Sequence, residues 1–301
     1  MWERFINKVI VRIKGGIGNQ LFTYSIARYI SIKNNAELVI DDISGFSRDY
    51  VFNRSYQLDN FNISARTATK AERLEPLPRF RRKLLKWYNY FLPFQRRMFF
   101  YQEKIEFDER MLTLKFKKRI FLEGYWQSER YFNDINDIIK KDLDIAPPKD
   151  ILNLSLAKNM SECNSVAVHV RFFDPSSEKE ASNVSESYYR KAIGEIRNRA
   201  KVEHFFIFSD NPELARKLLT LGIDESTFIT HNKGDENSYA DMWLMTKCKY
   251  FIIANSTFSW WGAWLSNYPG KVVIAPKTKT KYNGMLSWGF EGLLPHEWIK
   301  I

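Results

Sequence analysis

Several short stretches of the sequence place glycines, amides, an arginine or hydroxyls directly after an apolar run. Gly15-Gly16-Ile17-Gly18-Asn19-Gln20 follows the run 8–14, and His169-Val170-Arg171 with Asp174 follows 165–168. Ser209-Asp210-Asn211 closes 204–210, and Asn255-Ser256-Thr257 closes 249–256. The chemistry open to such sets is anion binding. A glycine turn leading into a helix offers main-chain N–H groups and the positive end of a helix dipole. Glycine also lets a ligand approach the backbone closely, which makes Gly16, Gly18 and Asn19 candidates, unless the turn merely needs positive φ. Arg171 can donate two parallel hydrogen bonds to a phosphate, and strand alternation points His169 the same way. Alternatively Arg171 closes its own loop by pairing with Asp174. Asp210 can accept hydrogen bonds from a purine edge, or Asp210 or Asn211 can cap the helix that Pro212 opens. Asn255, Ser256 and Thr257 can cradle an anion, or simply cap the helix behind them.

What the sequence lacks narrows this further. It has no Walker lysine spacing, no Ser-x-x-Lys, no Cys–His pair, and no ligand spacing among His169, His204, His231 and His296. The expected site therefore handles phosphates with no bound metal and no cofactor. The glycine turn is also an incomplete dinucleotide fingerprint, since Leu21 stands where the third glycine would be. Asp41-Asp42 could imitate the ribose-binding acid of such a site, so a nicotinamide enzyme stays open as the weaker alternative.

These residues need a scaffold of strand ends. Runs at 8–14, 37–41, 119 onward, 165–172, 204–210, 226–232, 249–256 and 271–276 read as strands. Helical patterns at 19–33, 187–200, 211–222, 239–248 and 258–268 alternate with them. Such alternation predicts an α/β fold with parallel sheets, helices on both faces, and ligands beyond the carboxyl ends of the strands. The 301 residues suggest two domains. The proline-containing stretch 145–150 is the best linker, giving domains 1–148 and 149–301. The region 43–118 reads as helical or looped. Trp260, Trp261 and Trp264 are expected in the core.

Charge and composition bound the partners. Hydrophobic residues make up 45% and aromatics 16% of the chain, enough for sizeable cores, and the net charge is +11. The basic residues are densest at 79–97, which holds seven Lys/Arg and no acid among Trp87, Tyr88, Tyr90, Phe91 and Phe94. That stretch suits a helix packing its aromatics on its own domain, or a helix lying on an anionic membrane surface. Nucleic acid, which a basic-aromatic face could also meet, is not expected as a partner. No apolar run reaches the ~18 residues of a membrane span. The N-terminus lacks the pattern of a signal peptide, and Cys163 and Cys248 read as buried free thiols. A cytoplasmic protein is expected, peripheral to the membrane's inner face if 79–97 docks there.

Taken together, "GGIGNQLFTYSIARYIS", "FLEGYWQSERYF", "HVRFFD", "FFIFSDNPELARK" and "IIANSTFSWWGAWLS" resemble the ordered motif set of glycosyltransferase family 11. This is the bacterial α-1,2-fucosyltransferase group, related more distantly to α-1,6- and protein O-fucosyltransferases. The resemblance spans residues 9 to about 277. It implies a GT-B fold: two Rossmann-like domains with the active site in the cleft between them, the last helix packing back on the first. It implies GDP-β-L-fucose as donor, a galactose-terminated glycan as acceptor, and inversion without a metal. Gly18 and Asn19 correspond to positions near the β-phosphate and fucose. His169 and Arg171 carry over as donor contacts, Asp210 as a guanine or ribose contact, and Ser256 and Thr257 as phosphate contacts. Where the family commonly has a second arginine and a glycine, this chain has Phe172 and Phe173. Asp174 is the first candidate for the base, with Glu178 and Glu180 as alternatives. Tyr125, Trp126 and Gln127 are candidates for an acceptor platform, or for plain packing.

Overall fold

The computed structural model describes residues 7–50, 52–172, 183–282 and 285–301. The chain divides into two compact units, Met1–Asp144 and Ile145–Ile301, so the division falls where the proline-containing linker begins. Each unit is a Rossmann-like α/β structure built on a parallel sheet, the GT-B type of fold.

In the first unit the order is β1 (Asn7–Arg12), α1 (Ile17–Lys33), β2 (Ala36–Asp41), β3 (Arg66–Thr67), α2 (Pro78–Tyr90), β4 (Phe99–Tyr101), β5 (Arg119–Glu123) and α3 (Asn136–Asp142). The strands align as β3-β2-β1-β5-β4 and every pairing is parallel. Strand alternation explains the core. Ile10, Val39, Phe99 and Phe121 form one apolar cluster, against which Leu85 of α2 packs. Two residues further along β1, β2 and β5, the same parity delivers Arg12, Asp41 and Glu123. Arg12 is the register partner of Asp41, and Val11 that of Leu122, so the three charges form one row across adjacent strands.

Helix α2 meets that row with an arginine. Arg82 Nη2 donates to Asp41 Oδ2 at 2.7 Å and to Ser44 Oγ at 2.8 Å, and Arg82 Nε lies 3.0 Å from Glu123 Oε1. Arg12 donates to the Ser44 carbonyl at 2.6 Å and lies 3.5 Å from Glu123. Burial, and then the nearby Arg12 guanidinium, pull the Arg82 pKa down, while Asp41 and Glu123 oppose the shift. Two turns on, buried Asn89 receives the N–H of Met98 and donates to the Phe99 carbonyl. The inward face of α2 is therefore largely polar. This corrects the reading of 79–97 as one basic-aromatic surface, since Arg82 is a buried anchor and the helix ends at Tyr90. Asp41 is likewise consumed in this network, which removes one of the two acids, Asp41 and Asp42, that could imitate a ribose-binding acid.

In the second unit α4 (Ile151–Glu162) leads into β6 (Ser165–Val170), α5 (Glu186–Arg199), β7 (His204–Ser209), α6 (Pro212–Leu218), β8 (Ser226–Ile229), α7 (Ser238–Met245), β9 (Tyr250–Ile252), α8 (Thr257–Leu265), β10 (Val272–Ala275), the hairpin β11 (Thr280–Tyr282) and β12 (Met285–Trp288), and β13 (Ile299–Lys300). The parallel sheet runs β13-β10-β9-β6-β7-β8. Val166, Val168 and Val170 share a cluster with Tyr188, Tyr189, Ile193 and Ile196 of α5. On α8, Trp260 and Trp261 are fully buried and Trp264 nearly so, as expected for core residues.

Among the described residues α8 is the last helix, and the chain closes with β13, which pairs in parallel with β10. Helix α1 is buried on nearly every face, with its polar Tyr24 and Arg28 satisfied by Asp142 at 2.7 Å each. Cys248 is buried, but Cys163 is only half-buried.

Arg82→Met should destabilise the first unit by about 3 kcal/mol in urea unfolding, because Asp41 and part of Glu123 are left buried without their cation. Arg81→Met, on the exposed side of the same turn, should change stability by no more than about 0.5 kcal/mol.

Candidate active site

In each unit the strand order reverses once beside its first strand. From β1 the chain builds outward to β2 and β3, then returns to lay β4 and β5 on the other side. From β6 it builds to β7 and β8, then returns to lay β9, β10 and β13 on the other side. Such a reversal opens a crevice at the carboxyl ends of the two strands that flank it. The flanking pairs are β1 with β5, and β6 with β9. The residues singled out in the sequence fall mainly at these ends.

In the first unit the turn after β1 is Lys14-Gly15-Gly16. Gly15 has φ +77°, and a Cβ there would meet Asn19 Nδ2 and the Tyr125 ring at 3.2 Å. Gly15 thus supplies the turn, while Gly16 is the N-cap of α1 and Gly18 lies buried within its first turn. Being a glycine, Gly16 makes no side-chain capping bond. Gln20 explains its place in the motif: its amide donates to the carbonyls of Gly15 and Ser55, both at 2.8 Å, and accepts from Gln57 N–H at 3.0 Å. It clamps the glycine turn to the 55–57 segment. Asn19 faces β5 instead, its Oδ1 accepting from Gln127 Nε2 at 2.7 Å.

The turn after β5 is strained. Gly124 has φ +146° and Trp126 has φ +54°, a left-handed conformation uncommon for so bulky a residue. Gln102 Oε1 holds it by accepting from the N–H groups of Tyr125 and Trp126, at 2.9 and 3.0 Å. The consequence is that Tyr125 lies beside Gly15 and Gln127 reaches Asn19, while Trp126 is buried edge-on to Tyr131 with centroids 5.7 Å apart. Trp126 also contributes to the wall of a groove of about 700 Å³ within this unit, together with Phe94, Tyr101 and Phe107. Cations border these rings: Arg110 lies 4.5 Å over Phe94, Lys86 3.8 Å over Tyr101 and Arg130 4.0 Å over Phe107.

In the second unit His169, near the end of β6, is buried. Its Nδ1 shares a 2.8 Å hydrogen bond with Ser259 Oγ, and Ser259 in turn donates to the Ser256 carbonyl. Burial, reinforced by the Arg171 charge, pushes the imidazole pKa down to about 3, so His169 is neutral and serves as a hydrogen-bonding group. Arg171 Nη1 pairs with Asp210 Oδ2 at 3.2 Å, and Asp210 Oδ1 accepts from Phe172 N–H at 3.0 Å. The ends of β6 and β7 are thereby joined through two expected donor residues. Asn211, not Asp210, caps α6, accepting from Leu214 N–H at 3.1 Å. Across the reversal, Ser256 caps α8 through Phe258 N–H and Asn255 is buried with its amide 3.3 Å from Thr280 Oγ1. Thr257 is the first residue of α8. Phe172 packs against the cluster under α5. Phe173, Asp174, Glu178 and Glu180 lie outside the described residues.

Sequence reasoning passed over several contributors. Arg54 lies along the glycine turn, 3.8 Å from where a Gly16 Cβ would stand. Lys14 sits 4.9 Å from the Tyr125 ring centroid, its pKa lowered by burial against the opposing pull of Glu123. Lys14 could have been noticed, since it separates strand from glycine. Arg54, Gln102 and Ser259 carry no local signal. No cluster of His, Cys, Asp or Glu able to hold a metal occurs among the described residues.

The two units thus present a nucleotide-type crevice and a cation-lined glycine turn on a GT-B scaffold. The family model for glycosyl transferase family 11 matches residues 8–301. The chain belongs to that family and is a glycosyltransferase. It is 30% identical over 304 residues to an alpha-1,2-colitosyltransferase of Escherichia coli, covering 97% of this chain and 98% of the relative. It is also 30% identical over 285 residues to the O-antigen biosynthesis glycosyltransferase WbnK of Escherichia coli, covering 88% and 92%. Its fold is similar to that of Arabidopsis thaliana FUT1 in complex with GDP, with a TM-score of 0.52 at 11% identity over 98% of this chain and 76% of that one.

The neutral state of His169 has a measurable consequence. An unfolded histidine titrates near 6.5 and the folded one near 3, so stability is full above pH 6.5 and is lost as pH falls below it. That loss runs to at most about 1.4 kcal/mol per pH unit while only the unfolded chain takes up the proton. Between pH 6.5 and 5, His169→Gln should show a flatter unfolding free energy than wild type, and the His169 imidazole should show no protonation by NMR.

Proposed function

We propose that the enzyme transfers L-fucose, or its 3-deoxy form colitose, from the GDP-β-linked donor to the 2-hydroxyl of a terminal β-galactoside. The product is α-1,2-linked, and the pathway served is O-antigen or related surface-polysaccharide synthesis. The observation that carries this reading is the Arg171–Asp210 pair beside neutral His169 at the β6–β9 reversal of a family 11 chain. The colitosyltransferase relative is what makes the 3-deoxy sugar a second donor.

The chemistry follows from charge. The acceptor oxygen attacks C1 from the face opposite GDP, the C1–O bond to the diphosphate breaks, and the hydroxyl proton passes to a base. Asp174 is our candidate for that base. Charge grows on the leaving diphosphate, so donors already aimed at it stabilise the transition state more than the ground state. Arg171 is assigned this role, with Asp210 orienting its planar fork. Ser256 and Thr257, which open α8, are assigned as further phosphate contacts, and Asn255 holds their turn. In the first unit, Gly16, Gly18 and Asn19 are assigned to the sugar–phosphate end, with Gln127 setting the Asn19 rotamer. The groove beside Trp126 is assigned to the acceptor, because aromatic rings bordered by arginine and lysine suit a ligand with both apolar faces and hydroxyls, as a sugar has.

Arg171→Ala should lower kcat/KM by about 100-fold or more, and Arg171→Lys should rescue little because an ammonium cannot form the fork. Retention of a tenth of wild-type activity in Arg171→Ala would refute the leaving-group role, being only about 1.4 kcal/mol. The rate should survive EDTA unchanged; collapse on chelation with recovery on added magnesium would refute a metal-independent mechanism. Asn19→Ala should lower turnover far more than it lowers GDP affinity, and parallel losses would make Asn19 a general phosphate contact. Incubation with GDP-fucose and GDP-colitose against galactose-terminated acceptors, followed by linkage assignment, tests the reaction itself.

A further inference from the structure

Helix α2 is turned inside out. Its polar Arg82 and Asn89 are buried, while Phe80, Leu84, Trp87 and Phe91 are 64%, 51%, 61% and 63% exposed. With Leu77 before the first turn, these residues recur at intervals of three and four, the spacing of one continuous helix face. At 100° per residue, exposed Arg81 flanks this stripe on one side and exposed Lys83 and Arg79 flank it on the other. No acidic residue occurs from 76 to 102. Arg82 and Asn89 hold the helix from beneath, so the apolar face is not needed to dock it on its own sheet. Trp87 and Phe91 stack edge to face at 5.2 Å, which shields only part of either ring.

We propose that this outward face of α2 is a membrane-docking surface whose partner is an anionic lipid bilayer. The helix would lie in the interface plane with the apolar stripe among the upper acyl chains and Arg79, Arg81 and Lys83 at the headgroups, the arrangement of interfacial amphipathic helices. Charge favours this occupant over a second copy of the chain. Pairing two such stripes would press their basic margins together, whereas an anionic headgroup layer neutralises them. Attachment is peripheral, since no helix among the described residues is long and apolar enough to cross a membrane. The proposal stands apart from the choice of donor and acceptor, because docking is read without any transfer reaction.

The test is cosedimentation of the full chain with vesicles of phosphatidylethanolamine and phosphatidylglycerol, and with vesicles of phosphatidylcholine alone. Binding is expected to the anionic vesicles, weakened by salt, and to be far lower on phosphatidylcholine. Leu84→Asn with Trp87→Asn should lower binding by about tenfold or more. Arg81→Gln with Lys83→Gln should lower it by about tenfold at low salt. Both double variants should keep the wild-type unfolding midpoint, since these side chains face away from the sheet. Absence of wild-type binding to anionic vesicles at low salt, or binding unaffected by the outward substitutions, overturns the proposal. So does a stable dimer in solution that Leu84→Asn with Trp87→Asn converts to monomer, which would make the face a protein interface.

Discussion

The constraint on which the sites depend is the reversal of strand order. A parallel sheet needs a crossover for every strand, and right-handed crossovers cover one face while the chain moves one way. Covering both faces requires the chain to reverse, and it does so once in each unit, next to β1 and next to β6. At a reversal the loops that follow the two flanking strands part to opposite sides, leaving main-chain groups without a covering helix. Every strand-end motif that carries polar residues flanks a reversal or stands one strand away. The glycine turn faces the β5 turn across the first reversal, and Gln127 reaches Asn19. His169 faces α8 across the second and reaches Ser259.

Within these crevices the chain handles charge by pairing it in advance. Arg171 does not wait in water for an anion. Asp210 holds it, and Phe172 N–H holds Asp210. The cost is that Asp210 competes with an incoming phosphate for the same guanidinium, and the benefit is that few rotamers remain to be frozen when the ligand arrives. His169 shows the complementary device. Burial keeps it neutral, so it adds a directed hydrogen-bonding ring to the crevice without adding a charge that would repel Arg171.

How legible these features were in the sequence depends on what the signal records. The strands β1, β2, β6 and β7 are nearly continuous apolar runs because both faces of a parallel sheet are covered, and they stand out. The motifs at their ends follow directly. Strands of two or three residues, such as β3, β4 and β13, are too short to show a period and borrow their pairing from neighbours. Helix α1 misleads in another way: its Gln20, Thr23, Ser25 and Ser31 are polar types usually found at the surface, but they are buried and hydrogen-bonded. The Asp210–Asn211 pair could not be resolved by type, since either residue can cap. Only the geometry gives the cap to Asn211 and leaves Asp210 for Arg171. Arg54, Gln102 and Ser259 act through contacts across the fold, which local pattern does not record.

Helix α2 shows why the periodic signal has no sign. A stripe at three- and four-residue spacing says that a helix has two faces, not which one points inward. The decision here lies on the sheet. The parity that buries Ile10, Val39 and Phe121 also presents Arg12, Asp41 and Glu123 as a charged row, and an apolar helix face laid over that row would strand carboxylates without partners. The net charge of the three is −1, and one guanidinium brings it to zero. Arg82 therefore belongs inside, and Leu85 covers the apolar patch beside it. Once Arg82 and Asn89 are fixed inward, the helical period carries Phe80, Leu84, Trp87 and Phe91 to the opposite side. The exposed apolar face of α2 is thus a consequence of the charges at the ends of β1, β2 and β5.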